Sequence, residues 1–197
     1  QTLKESFSLY GKGLHTGLNL IVSFNPAPAG HGYKIQRTDL SGQPVIEVLA
    51  ENVRDTSRGT VVANGDVRCS TIEHAMAALY SQGIDNCLIK VNGPEFPILD
   101  GSARFFLQNI HLAGTEQLDA EREYLVVKKE ISFADERTGS AVSIFPSDHF
   151  SVEATIAFDS EFISSQTACI ADMSQFGSEL AAARKTTDEA IRKVYDI

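Results

Sequence analysis

Two adjacent residues, Glu73 and His74, are the side chains in this sequence best suited by type and spacing to do chemistry. An imidazole can ligate a metal ion while a neighbouring carboxylate takes the proton from bound water, the pairing that hydrolytic metal sites use. The pair sits at the start of a helical pattern, with Ile72, Ala75, Met76 and Leu79 at i, i+3, i+4 and i+7. At 100° per residue those positions lie within roughly 60° of Ile72, and His74 lies about 200° from it. His74 therefore faces away from the apolar stripe. On spacing alone, adjacent Glu and His are a common coincidence. Glu73 also has a structural assignment, because Ser70-Thr71-Ile72-Glu73 fits a capping box in which Ser and Glu side chains satisfy the first amides of the helix.

His15 is the next candidate. It lies in Gly11-Lys12-Gly13-Leu14-His15-Thr16-Gly17, a glycine-rich segment of the kind whose amides can approach a phosphate, or a plain hairpin turn. Neither GxGxxG at a strand–helix junction nor GxxxxGK[ST] occurs, so nucleotide-binding folds have no support. The chain also lacks a Gly-x-Ser-x-Gly elbow for serine hydrolysis. His31 and His149 read as exposed loop residues, and His111 as the end of a helix, where a cation suits the dipole. Cys69, Cys87 and Cys169 are odd in number, widely spaced and set among apolar neighbours; all three read as small buried hydrophobes.

The elements that must carry these residues begin with strands. Thr2–Tyr10 and Leu18–Phe24 alternate apolar and polar residues, with further short strands at Tyr33–Arg37, Val45–Glu47 and Thr60–Val62. The helix beginning at Ser70 ends at Gly83, a natural C-cap. A strand over Asn86–Val91, a rigid proline-bearing loop over Asn92–Ser102 and a helix over Ala103–Leu112 follow. After a polar stretch the strand pattern restarts at Tyr124–Lys128, Ala141–Phe145 and Ser151–Phe158, and Phe176–Arg184 reads as helical. Strands grouped with fewer helices indicate an α+β class, with two layered sheet-plus-helix domains of similar topology. We place the first domain at residues 1–115, a linker at 116–123 and an incomplete second domain at 124–197.

Composition narrows the function. The 197 residues are 43% apolar and 22% charged, enough to build a core, and the formal net charge is −9. An acidic chain without a dense Lys/Arg run lacks the footprint of a nucleic-acid binder or of an anionic membrane surface binder. No apolar run approaches the roughly 18 residues of a spanning helix, and no signal-peptide core opens the sequence. The chain reads as soluble and cytoplasmic.

Three segments in fixed order carry a resemblance: Gly11 to Gly17, Ser70-Thr71-Ile72-Glu73-His74-Ala75-Met76-Ala77-Ala78-Leu79, and Pro94-Glu95-Phe96-Pro97-Ile98-Leu99-Asp100-Gly101-Ser102-Ala103. With Gly83-Ile84-Asp85-Asn86, they make the chain closely resemble the UDP-3-O-acyl-N-acetylglucosamine deacetylases, zinc amidohydrolases of lipid A biosynthesis, from Thr2 to about Arg184. The resemblance implies two α+β domains facing each other across the active site. It implies zinc held by two His and one Asp, and removal of the 2-N-acetyl group of UDP-3-O-acyl-N-acetylglucosamine. By match to the motifs, Glu73 would be the general base and His74 the first zinc ligand. Leu14 and His15 would lie near the substrate, and Asp100 would support the site.

The chain also departs from the family. The family has an Ala-Arg-Thr-Phe motif leading into an acyl passage, where this chain reads Ala183-Arg184-Lys185-Thr186-Thr187. The family's His-Lys-x-x-Asp motif is matched by Arg192-Lys193-Val194-Tyr195-Asp196 without its His. On that match Asp196 would be the Asp ligand and Lys193 a substrate contact; the other reading is a helical tail with ordinary charges. No fused dehydratase module is visible. The alternative function is a non-catalytic relative that keeps a sugar-nucleotide or protein-binding cleft.

Overall fold

A computed structural model describes residues 1–157 and 164–184. In chain order the elements are β1 (Thr2–Leu3), β2 (Phe7–Lys12), β3 (Asn19–Pro26), β4 (Tyr33–Arg37), β5 (Val45–Glu47), β6 (Val53–Asp55), β7 (Val61–Asn64), β8 (Val67–Cys69), α1 (Glu73–Ser81), β9 (Cys87–Val91), α2 (Arg104–Ala113) and β10 (Thr115–Glu116). There follow β11 (Ile131–Asp135), β12 (Ser140–Ile144), β13 (Val152–Ile156), β14 (Gln166–Ile170) and the short helix α3 (Phe176–Glu179). The class is α+β, as the sequence indicates. The fold divides into two compact units, one of residues 1–119 with the described residues from 174 on, the other of residues 120–173.

The first unit is built on a five-stranded sheet in the order β2-β3-β9-β4-β5, where only the β4–β9 pair is parallel. Period-2 alternation in β3 buries Leu20, Val22 and Phe24, and the neighbouring β9 buries Cys87, Ile89 and Val91. Phe24 is the centre of an aromatic cluster. Its ring stacks on Phe7 at 4.8 Å and meets the edges of Phe96 at 6.3 Å and Phe106 at 5.9 Å. Helices α1 and α2 pack against each other and bring in Ala75, Ala78, Leu79, Phe106, Leu107 and Ile110. A separate antiparallel sheet, β6-β7-β8, stands between β5 and α1 in the chain and leads directly into the site helix.

Several elements differ from the sequence reading. The run Thr2–Tyr10 is two strands, because the Lys4 and Glu5 amides donate to the carbonyls of Gly114 and Ala113 at the end of α2 and take the chain off the sheet. The helix expected from Ser70 starts at Glu73, for a reason given below. It ends as expected, with Gly83 left-handed (φ +66°) and the Gly83 and Ile84 amides returning to Tyr80 and Leu79. No strand forms over 124–128, and the helix expected over 176–184 stops at Glu179.

In the second unit β11 pairs with β12 and β13 with β14, as two separate antiparallel hairpins. Cys69 and Cys87 are buried as expected, whereas Cys169, on β14, is exposed. His31, expected to be exposed, is half-buried; burial holds its imidazole pKa below the ordinary value, with Lys34 adding to the effect. Among the described residues, no helix is long and apolar enough to cross a membrane.

Candidate active site

The glycine-rich segment is the connection between β2 and β3. It is closed by Gly13 N–H donating to the Leu18 carbonyl (3.0 Å) and Gly17 N–H to that of Gly13 (3.1 Å), with Gly17 left-handed at φ +66°. Leu14 and His15 are exposed at its tip. Under the loop lies Glu95, a fully buried carboxylate. Its Oε1 accepts from the His15 amide at 3.0 Å, and its Oε2 accepts from the Thr16 amide at 3.0 Å and the Thr16 hydroxyl at 2.8 Å. A fourth bond comes from the Thr71 hydroxyl at 3.2 Å. Burial pushes the Glu95 pKa up, but these donors together outweigh it and hold the pKa below the ordinary value.

Thr71 explains the late start of α1. Ser70 is drawn into a bridge with Glu95: its amide donates to the Pro94 carbonyl at 2.9 Å, and its own carbonyl accepts from Phe96 N–H at 3.0 Å. The Ser70 hydroxyl also turns to the Pro94 carbonyl, at 3.2 Å. Thr71 then takes φ +59°, a left-handed value that a β-branched residue rarely adopts. The capping box therefore does not form; Ile72 is the cap residue and no side chain caps the helix.

Released from that assignment, the Glu73 carboxylate is aimed elsewhere. Its Oε2 accepts from the backbone amide of Thr60 at 2.9 Å. Glu73 and His74 are both half-buried, and the His74 Nε2 is buried from solvent.

The segment carrying Thr60 is also held from the other side, where His15 Nε2 meets the Arg58 carbonyl at 3.3 Å. The glycine-rich loop, residues 58–60 and the first turn of α1 thus converge within the first unit. Beside them opens a cleft of about 620 Å³, whose walls include His15, Arg58, Gly59, Arg68, Ser70 and Thr71. Glu73 and His74 are not in its walls.

Asp100 has a local task. Its Oδ1 accepts from the Ser102 amide and hydroxyl, and Ser102 Oγ in turn accepts from Arg104 N–H at the start of α2. Lys193 and Asp196 lie outside the described residues. Of the candidates from sequence, the structure links Glu73 and His15 through residues 58–60, and His74 follows Glu73 in the chain. The residues the sequence reading passed over are Glu95, Thr71 and Thr60. Glu95 carried a signal, a carboxylate in the otherwise apolar stretch from Pro94 to Leu99; the Thr60 amide carried none.

Cys69 and Cys87 are not candidates for nucleophiles, since burial pushes each thiol up to about 12. The fit of a catalytic metal can be tested on the donor set. A hydrolytic zinc takes about three protein ligands. Among the described residues no three His, Cys, Asp or Glu side chains converge as a metal site. His74 is a donor of the right chemistry, but by itself the described set does not hold a catalytic zinc.

Comparison with known proteins places this arrangement in context. The family model described as UDP-3-O-acyl N-acetylglycosamine deacetylase matches residues 1–191. A bifunctional enzyme LpxC/FabZ from Bacteroides thetaiotaomicron is 55% identical over 184 residues, covering 93% of this chain and 40% of that protein. The protein of the same name from Porphyromonas gingivalis is 50% identical with the same coverage. A UDP-3-O-acyl-N-acetylglucosamine deacetylase from Myxococcus xanthus is 42% identical over 167 residues, covering 85% of this chain and 52% of that protein. The chain thus spans about half or less of the length of these relatives.

Proposed function

The chain belongs to the UDP-3-O-acyl N-acetylglycosamine deacetylase family, and on that premise we propose that it carries the base-bearing part of a zinc-dependent deacetylase. The substrate in this reading is UDP-3-O-acyl-N-acetylglucosamine, the product is its free 2-amine with acetate, and the setting is cytoplasmic lipid A biosynthesis. The two-domain division at 1–115 and 124–197 is part of the same reading.

The observation that carries it is the aim of Glu73. A half-buried carboxylate that accepts from the Thr60 amide, one residue before a half-buried imidazole in the chain, has the chemistry to take a proton from water. In hydrolysis of the acetamide, water loses a proton to Glu73 as its oxygen adds to the acetyl carbon. The C–N bond then breaks, and the amine leaves with a proton that the Glu73 carboxyl can return.

His74 would be one ligand of the zinc and Asp196 is proposed as another; the second His of the family's set has no match in residues 158–163 or 185–197, which contain no His. When bound, zinc supplies a Lewis acid that polarises the carbonyl and acidifies water. Leu14, His15 and Lys193 are proposed to face substrate; for His15, the support is its place in the wall of the cleft.

Metal analysis tests the reading apart from turnover. Zinc titrated into the purified chain is expected to bind at one weak site that dialysis empties, since one imidazole and carboxylates make an incomplete set, and His74→Ala is expected to abolish it with little change in melting. A chain that melts cooperatively but takes up no zinc in the titration would overturn the metal assignment.

A further inference from the structure

We infer that Glu95 is a positioning residue for Glu73, acting through the strained Thr71 turn and the His15 loop. The inference rests on the reading of Glu73 as the base, and it adds a residue that has no part in the proton transfer itself. Glu95 bonds to the loop that touches residues 58–60 and to the turn that leads into Glu73. On one side it takes the His15 and Thr16 amides and the Thr16 hydroxyl, and His15 Nε2 then meets the Arg58 carbonyl, two residues before Thr60. On the other it takes the hydroxyl of Thr71, two residues before Glu73. The last link, Thr60 N–H to Glu73 Oε2, closes a ring of hydrogen bonds.

Two features mark the ring as a device rather than incidental packing. A β-branched residue at φ +59° stores strain and persists only where its surroundings over-determine it; the Glu95 carboxylate and the Ser70 bridge do that for Thr71. Gly13 leaves no room for a side chain, because a Cβ there would run into Glu95 Oε2 and Thr16 Oγ1. The loop backbone is thus fitted to the carboxylate. A neutral side chain at 95 would surrender charge-assisted bonds, which are roughly twice as strong as neutral ones.

The test reads amide hydrogen exchange on the chain with Glu95→Gln, Glu95→Ala and, from the opposite side, Gly13→Ala. All three are expected to speed exchange at His15, Thr16 and also Thr60 by about tenfold or more, with Ala exceeding Gln at position 95, while Ile89 in β9 keeps its protection. Unchanged protection at Thr60, with His15 and Thr16 released, would overturn the coupling. If Glu95→Gln and Glu95→Ala fail to fold, Gly13→Ala and Thr16→Val decide by the same amides.

Where the chain turns over substrate, Glu95→Gln should lower kcat by a larger factor than it raises KM, because the base is misaimed as well as the His15 loop loosened. A rise in KM alone would overturn the positioning role. A wild-type chain without deacetylation would defeat the functional reading, yet the exchange result would still decide whether Glu95 holds the ring.

Discussion

Strand β3 in the first unit and strands β11 and β12 in the second are written in much the same alphabet, yet they end differently. In β3, Leu20, Val22 and Phe24 are sealed against β9 and the aromatic cluster. In β11 and β12, Ile131, Phe133, Val142 and Ile144 are all exposed. The register of the second pair is regular over five residue pairs, so pairing is not what separates them. The difference is a second layer. A sheet buries a face only against another element, and the first unit has α1 and α2 for that purpose while β11–β12 is a two-stranded ribbon. Alternation in a sequence sets the strand; burial has to come from elsewhere.

The widest gap between the two regions should appear in thiol chemistry. Raising a thiol from 9.0 to about 12 cuts the thiolate fraction near neutral pH about a thousandfold. Cys69 and Cys87 should therefore resist a thiol reagent until the chain unfolds, while Cys169 reacts at once. Mass spectrometry of the labelled native chain would show one adduct; three adducts without denaturant would erase the contrast.

Core substitutions come next. Phe24→Ala is expected to cost about 3–5 kcal/mol in denaturant unfolding, because Phe24 is fully buried and touches three other rings. Gly13→Ala should cost less, about 1–3 kcal/mol, as overpacking against the Glu95 carboxylate.

Acid should also act on the two regions unequally. The folded pKa of Glu95 is held below its ordinary value, so its stabilising contribution is present above the unfolded carboxylate pKa and is lost as pH falls through the folded one. Acid titration of stability should show a loss in that window that Glu95→Gln flattens. Asp148 is held low by its hydrogen bond to His149, but the group is exposed, and Asp148→Asn should leave the profile unchanged. Among the apolar substitutions the smallest effect expected is that of Phe133→Ala, within about 0.5 kcal/mol of wild type, since the ring is already in solvent. A large loss there would reveal a covering layer and break the comparison.

The same distinction explains what could be read from the residues alone. The strands over Tyr33–Arg37 and Val45–Glu47 and the helix-ending Gly83 were legible because local alternation and backbone preference decide them. Glu73 and His74 stand out in the sequence through type, adjacency and the family motif; their roles are proposals, to which the structure adds the Glu73 bond to the Thr60 amide. The start of α1 was misread because a long-range event, the Ser70–Glu95 bridge, overrides the local capping pattern. Glu95 and Thr60 went unseen for a similar reason. Their roles consist of hydrogen bonds to residues 79 and 13 positions away, and no local period carries such a partner. For β6 and β8, three-residue strands are too short for any alternation to register.

Acetate release from UDP-3-O-acyl-N-acetylglucosamine in zinc-containing buffer, comparing the wild-type chain with Glu73→Ala, bears most directly on the role given to Glu73. The wild-type chain should release acetate, and the variant should fall by about 10²–10⁴-fold while keeping its zinc and its melting temperature. Equal rates from the two proteins, or no release from either with zinc bound, would contradict the account.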